Sequence, residues 1–151
     1  MEELSEIYDK IYRYCFYKVR NSAAAEDLTQ EAFLRYFAQN KKLKRGEDTA
    51  YLYTVAKNLC TDHFRRKPFE ELPENYPEEG FADSSDTKTA VRAALEKLDE
   101  PHKEAVVLRY LGGLSVNETA GVMGISRFAV HRLETAALAE MKKYLKGAFT
   151  E

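Results

Sequence analysis

Ile7, Ile11, Cys15 and Val19 recur every fourth position, and Tyr8, Tyr12 and Phe16 widen their stripe. This spacing predicts an amphipathic helix at the start of the chain. Asn21 or Ser22 can cap a second helix running from about Ala23 to Gln39. A polar loop, NKKLKRGED, separates it from a third helix opened by Thr49. Leu52, Val55, Ala56, Leu59 and His63/Phe64 fall on one face of that helix, and Pro68 stops it. Helical periodicity resumes from about Thr87 to Lys97. Pro101 suits the first position of a further helix reaching about Tyr110, and Gly112-Gly113 breaks it. Two more helices are predicted, Ser115 to Met123 and Ser126 to about Lys146. No segment alternates with period two, so the expected fold class is all-α.

Between the two helical groups lies PFEELPENYPEEGFADSSD, with three of the four prolines of the chain. Prolines and carboxylates at this density bury too little apolar surface to fold alone, so residues 68–86 read as an acidic, flexible linker. Two small helical domains are then expected, over residues 1–67 and 87–151. Charge follows the same division. The net charge of −2 resolves into +3 for residues 1–67, −6 for 68–88 and +1 for 89–151. The acidity is confined to the linker, and the first domain is mildly basic.

The second domain carries the sharpest local signal, LSVNETAGVMGISRFAVHRL. Ser115 with Glu118 three residues on forms a capping box. Ala120 is small where two helices must cross closely. Gly124 can adopt the positive φ of a tight turn, and Ser126 can cap the helix that follows. Ile125 fills the turn from the core side, and Val130, Leu133, Ala137, Leu138 and Met141 form an expected buried stripe. Together these residues predict a helix-turn-helix whose second helix enters a DNA major groove. Arg127, Phe128, His131 and Arg132 lie off the buried stripe. The arginines suit guanine or phosphate, and Phe128 suits a thymine methyl group.

In the first domain, Asp27, Gln30 and Glu31 share a helical face with Leu34, a polar surface with one apolar anchor that fits protein docking. On the third helix Lys57, Thr61 and Arg65 form one stripe, and Asn58, Asp62 and Arg66 the next. Tyr51 and Tyr53 follow the basic loop Lys41–Arg45. Cations beside aromatic rings suit single-stranded DNA, whose bases stack and whose phosphates attract charge. Asp62 would repel phosphate, so its expected role is to orient Arg65 or Arg66.

Other chemistries find little support. His63, His102 and His131 are dispersed without metal-ligand spacing, and neither a phosphate-cradling glycine loop nor a nucleophile motif occurs, so no enzyme, metal or cofactor is expected. His63 reads as a core-edge residue. Cys15 and Cys60 lie at apolar positions and read as buried thiols, with a disulfide as the alternative. No apolar run is long enough to span a membrane, and the acidic, amphipathic start MEELSEIYDK does not resemble a signal peptide. The expected compartment is the cytoplasm.

The order of AEDLTQEAFLRYF, AYLYTVAKNLCTDHFRRK, the acidic linker and LDEPHKEAVVLRYLGGLSVNETAGVMGIS resembles the sigma-70 family, specifically its extracytoplasmic-function (ECF) group. The resemblance implies a transcription initiation factor that binds core RNA polymerase and recognises promoter −10 and −35 elements. It implies that Asp27, Gln30, Glu31 and Leu34 dock on the coiled coil of the largest polymerase subunit. Lys44, Arg45, Tyr51, Asn58, Arg65 and Arg66 occupy the ground that opens the −10 element and holds an extruded base. Arg127, Phe128, His131 and Arg132 would read the −35 element, and the second domain would meet the flap of the second-largest subunit. The linker would thread the polymerase channel, and an anti-sigma factor is an implied partner. Tyr51 stands where the family usually has tryptophan. Phe128 and Ala129 replace charged residues in a recognition helix whose framework is closer to that of larger sigma factors. From the residues alone, a stand-alone helix-turn-helix regulator with an N-terminal dimerisation or sensor domain remains the alternative.

Overall fold

A computed structural model describes residues 4–39, 47–66 and 86–149. Among the described residues regular structure is entirely helical: α1 (Leu4–Val19), α2 (Ser22–Ala38), α3 (Glu47–Arg66), α4 (Asp86–Glu96), α5 (Glu100–Val106), α6 (Val116–Met123) and α7 (Arg127–Phe149). A π-helical segment, Val107–Leu111, continues α5. The chain forms two compact units, one holding α1 to α3 and the other α4 to α7. The linker expected over 68–86 lies, apart from Asp86, outside the described residues, as does the basic loop at 41–45 with Lys44 and Arg45.

In the first unit each of the three helices packs on the other two. The predicted stripe of α1 is buried along its whole length, at Ile7, Ile11, Cys15 and Val19, and Phe16 joins it. Tyr14 and Tyr17 are buried as well. Arg20 ends α1 in the left-handed region at φ 56°, a conformation that costs a non-glycine residue about 1 kcal/mol or more. Its N–H still reaches the Phe16 carbonyl at 2.8 Å. Asn21, and not Ser22, is the cap of α2: its Oδ1 accepts from the Ala24 N–H at 2.8 Å. Ala25, Thr29, Ala32 and Phe33 turn one side of α2 into the core. The buried Thr29 hydroxyl donates to the Ala25 carbonyl at 2.7 Å, which removes the cost of burying it unpaired.

The third helix begins at Glu47, two residues before the expected Thr49, and places two carboxylates in its first turn where the helix dipole favours them. Leu52, Ala56, Leu59 and Cys60 are buried, but Phe64 at the end of the expected apolar face is exposed. Cys15 and Cys60 are free, buried thiols. Hydrogen bonding from Cys60 lowers the pKa of Cys15, against the opposing effect of burial.

In the second unit α7 packs against α4, α5 and α6. Ala94, Leu98, Val106, Ala137 and Met141 make one core cluster, flanked by Leu95 and Leu145. Lys103, largely buried, bridges Glu96 at 3.4 Å and Glu100 at 3.8 Å, which ties α4 to α5. Within the expected stripe of α7, Val130, Ala137 and Met141 are buried and Leu133 is half-buried. Leu138 corrects the reading: it is exposed, because it sits one residue beyond Ala137 and so turns about 100° away from the packed face.

Candidate functional site

The helix-turn-helix is built by local rules. The Ser115 hydroxyl oxygen accepts from the Glu118 N–H at 3.0 Å, and Glu118 Oε1 accepts from the Ser115 N–H at 2.8 Å, so the capping box is reciprocal. At the other end of α6, Gly124 takes φ 71° and its N–H reaches the Ala120 carbonyl at 2.8 Å. A residue with a side chain is strained there, which is why glycine occupies the turn. Ile125 is half-buried beneath it. Ser126 Oγ then accepts from the Ala129 N–H at 3.1 Å and starts α7.

All four expected readers, Arg127, Phe128, His131 and Arg132, are exposed on the first two turns of α7. Phe128 is 66% exposed, with the Arg127 guanidinium 5.3 Å from its ring centroid. An aromatic that open on a soluble surface has no packing role, whereas beside a cation it suits a base edge or thymine methyl. An open groove of about 700 Å³ runs along this helix, lined by His102, Ile125, Ala129, His131 and Arg132 among others.

The first unit presents two further surfaces. On α2, Asp27, Gln30 and Leu34 are exposed and Glu31 is half-buried. Glu31 Oε2 accepts from Arg35 Nε at 3.0 Å. Gln30 Nε2 donates at 3.1 Å to Glu26 Oε2, which also accepts from the Tyr8 hydroxyl at 3.1 Å. Polar side chains are therefore held in register around Leu34, which is 64% exposed. Phe37, three residues on, is 62% exposed and extends the apolar part of this face. Sequence alone does not distinguish it, because an aromatic at helical spacing is as consistent with a core as with a surface; the one available signal is its i, i+3 relation to Leu34.

The second surface is the cationic end of α3. Asn58, Arg65 and Arg66 are exposed there. Arg65 Nη1 donates to Asp62 Oδ1 at 3.3 Å, so Asp62 orients Arg65. Tyr51 is half-buried with its ring 6.2 Å from that of Tyr36. Tyr36 donates to Asp48 Oδ2 at 2.8 Å, and that hydrogen bond raises the pKa of the tyrosine. The two contacts clamp α2 to the start of α3 on either side of residues 40–46. Tyr53 does not share this surface. It is buried edge-on against Tyr14, with centroids 5.3 Å apart, and its ring belongs to the core. Residues two apart on a helix point about 200° apart, onto nearly opposite faces, so Tyr51 and Tyr53 could not both face one strand of nucleic acid.

Among the described residues no group of His, Cys, Asp and Glu is arranged to hold a metal ion, and no helix is long and apolar enough to cross a membrane.

Comparison with known proteins gives the surfaces a context. Residues 4–68 match the family Sigma-70 region 2, and residues 94–143 match Sigma-70, region 4. The chain is 38% identical to the ECF RNA polymerase sigma factor BldN of Streptomyces coelicolor, over 91% of this chain and 56% of that protein. It is 30% identical to the ECF RNA polymerase sigma factor SigD of Mycobacterium tuberculosis, over 97% of this chain and 77% of that protein. The chain thus spans little more than half the length of some curated relatives and about three quarters of others. Its fold is similar to that of the sigma factor RpoE solved in complex with the anti-sigma factor NepR from Bartonella quintana, with a TM-score of 0.69 at 19% identity, covering 95% of this chain and 94% of that one. The chain belongs to the ECF group of the sigma-70 family of RNA polymerase sigma factors.

Proposed function

We propose that the chain binds core RNA polymerase and directs it to promoters through recognition of −10 and −35 elements and melting of DNA. The observation that carries this reading is the pairing, in one chain, of an exposed docking face on α2 with a fully capped helix-turn-helix, inside the two matched sigma regions and in the family's order. Asp27, Gln30, Glu31 and Leu34, extended by Phe37, form the face for the coiled coil of the largest subunit. Lys44, Arg45, Tyr51, Asn58, Arg65 and Arg66 engage the opened −10 element, and Arg127, Phe128, His131 and Arg132 engage the −35 element. Residues 1–67 and 87–151 act as the two functional domains, with 68–86 as the acidic linker, and the second domain meets the polymerase flap. The protein works in the cytoplasm. An anti-sigma factor is proposed as its antagonist, by analogy with the RpoE–NepR complex.

Replacement of both Arg65 and Arg66 by Ala tests the melting role. Open-complex yield, read by permanganate reactivity of unpaired thymines, is expected to fall severalfold. The slope of log affinity against log salt should become shallower by about 1.4 to 1.8, the release expected for two phosphate contacts. Both side chains are exposed, so folding should be unaffected. Unchanged yield and slope would remove these arginines from the DNA interface.

A further inference from the structure

Arg109 and Tyr110, in the segment after α5, meet Glu134 of α7 in a cluster that no DNA-contacting role requires. Arg109 Nε donates to Glu134 Oε1 at 2.9 Å, and the Tyr110 hydroxyl donates to Glu134 Oε2 at 3.1 Å. Both oxygens of one carboxylate are thereby held by two consecutive residues. A second nitrogen of the same guanidinium, Nη1, donates to the Leu114 carbonyl at 2.8 Å. Its plane also lies 5.3 Å from the Tyr110 ring centroid.

Consecutive residues of an α-helix point about 100° apart and do not converge on one acceptor. Here they converge because residues 107–111 are π-helical: the Gly112 N–H reaches back to the Val107 carbonyl at 2.8 Å, a five-residue step. The wider turn brings successive side chains closer in angle, and π segments of this length are concentrated at functional positions.

We infer that Arg109, through Glu134 and the Leu114 carbonyl, is a positioning residue that sets the angle of the recognition helix for −35 readout. One rigid, planar cation joins three parts of the motif. It holds the π segment, the backbone immediately before the Ser115 cap of α6, and the eighth residue of α7. With Gly124 fixing the turn at the other end of α6, the relation of α6 to α7 is set from both sides. The cluster has an electrostatic consequence as well. Arg127, His131 and Glu134 follow at i, i+4 and i+7 along one side of α7, so Glu134 brings a negative charge close to the helix face assigned to phosphate and bases. Burial raises the pKa of this carboxyl, but hydrogen bonds from Arg109 and Tyr110, together with the nearby charges of Arg109 and His131, lower it overall, which favours the ionised form. Arg109, whose own pKa is raised by the same hydrogen bond, supplies the compensating charge.

The inference rests on the proposed −35 role of α7, and the test separates the two. Holoenzyme is reconstituted from core polymerase and the full chain, as wild type, Arg109→Lys or Tyr110→Phe. Each form transcribes a promoter library randomised at both elements, and the enriched templates are sequenced. Lysine keeps the charge but lacks the planar fork whose two separate nitrogens reach Glu134 and the Leu114 carbonyl at once. Arg109→Lys is expected to enrich the same −10 sequence as wild type with −35 discrimination reduced tenfold or more, and Tyr110→Phe to lose less. Circular dichroism melts of each chain separate this from unfolding, because a merely unstable second domain would lose −35 preference only in step with its melting. Full −35 discrimination by Arg109→Lys would overturn the positioning role while leaving the −35 reading intact. A wild type that enriches no −35 sequence would overturn both.

Discussion

Leu34→Asp is expected to weaken binding to core RNA polymerase by about 30- to 700-fold, the range of a central interface residue worth about 2–4 kcal/mol. The leucine has no duty inside its own domain, since it projects from α2 at 64% exposure. Its neighbours explain why it should dominate. Asp27, Gln30 and the Glu31–Arg35 pair surround it with polar groups, of which Gln30 and Glu31 are already held by hydrogen bonds within the helix. Such a rim adds specificity but modest energy, whereas an apolar side chain buried at the centre contributes most of the affinity. Aspartate would leave a charge at that centre without a partner. The cost to folding is small, about 0.5 kcal/mol of helix propensity at a solvent-facing position. Fluorescence anisotropy of labelled chain titrated with core enzyme measures the effect, with Asp27→Ala as a milder companion. Affinity within twofold of wild type for Leu34→Asp would show that α2 docks through another face.

Phe16→Ala acts on the fold instead of the surface. Phe16 is 2% exposed at the centre of the three-helix unit, where Ile11, Cys15 and Leu52 are also fully buried. Removing a ring from such a site costs about 3–5 kcal/mol through lost transfer energy and the cavity left behind. A unit of this size has about 3–10 kcal/mol of stability in total, so the variant should be marginal near room temperature. Its melting transition is expected about 12 °C or more below that of wild type. The helix-turn-helix belongs to the other compact unit and draws on a separate core, so amide exchange at Ala137 and Val130 should stay unchanged. A fall of under 5 °C would mean that the core tolerates the cavity far better than its packing implies.

Much of this organisation could be read from residue order. The stripe Ile7, Ile11, Cys15, Val19 located α1, because a period near four admits only one face and that face must be buried. Ser115, Glu118 and Gly124 gave the bounds of α6, since caps and positive-φ turns depend on residues close in sequence. Leu34 was legible as an apolar residue stranded on a polar face. What escaped depended on neighbours distant in the chain. Tyr51 and Tyr53 read alike, and only the arrival of Tyr14 from α1 made one of them core. Leu138 looked buried until α4 and α5 took their places beside α7. The π segment left no trace in the pattern, because a single widened turn does not alter the spacing of Val107, Leu108 and Leu111 enough to register. Arg109 and Glu134, 25 residues apart, could be paired only in space.

If the proposed function holds, this chain gives core polymerase its choice of start site. Transcription by core enzyme of genomic fragments from the source organism, with and without the chain, followed by mapping of transcript 5′ ends, tests it most directly. Discrete 5′ ends that require the chain and share two upstream elements at fixed spacing are expected. Identical 5′ ends with and without the chain, together with sequence-specific duplex binding by the chain in the absence of polymerase, would contradict it.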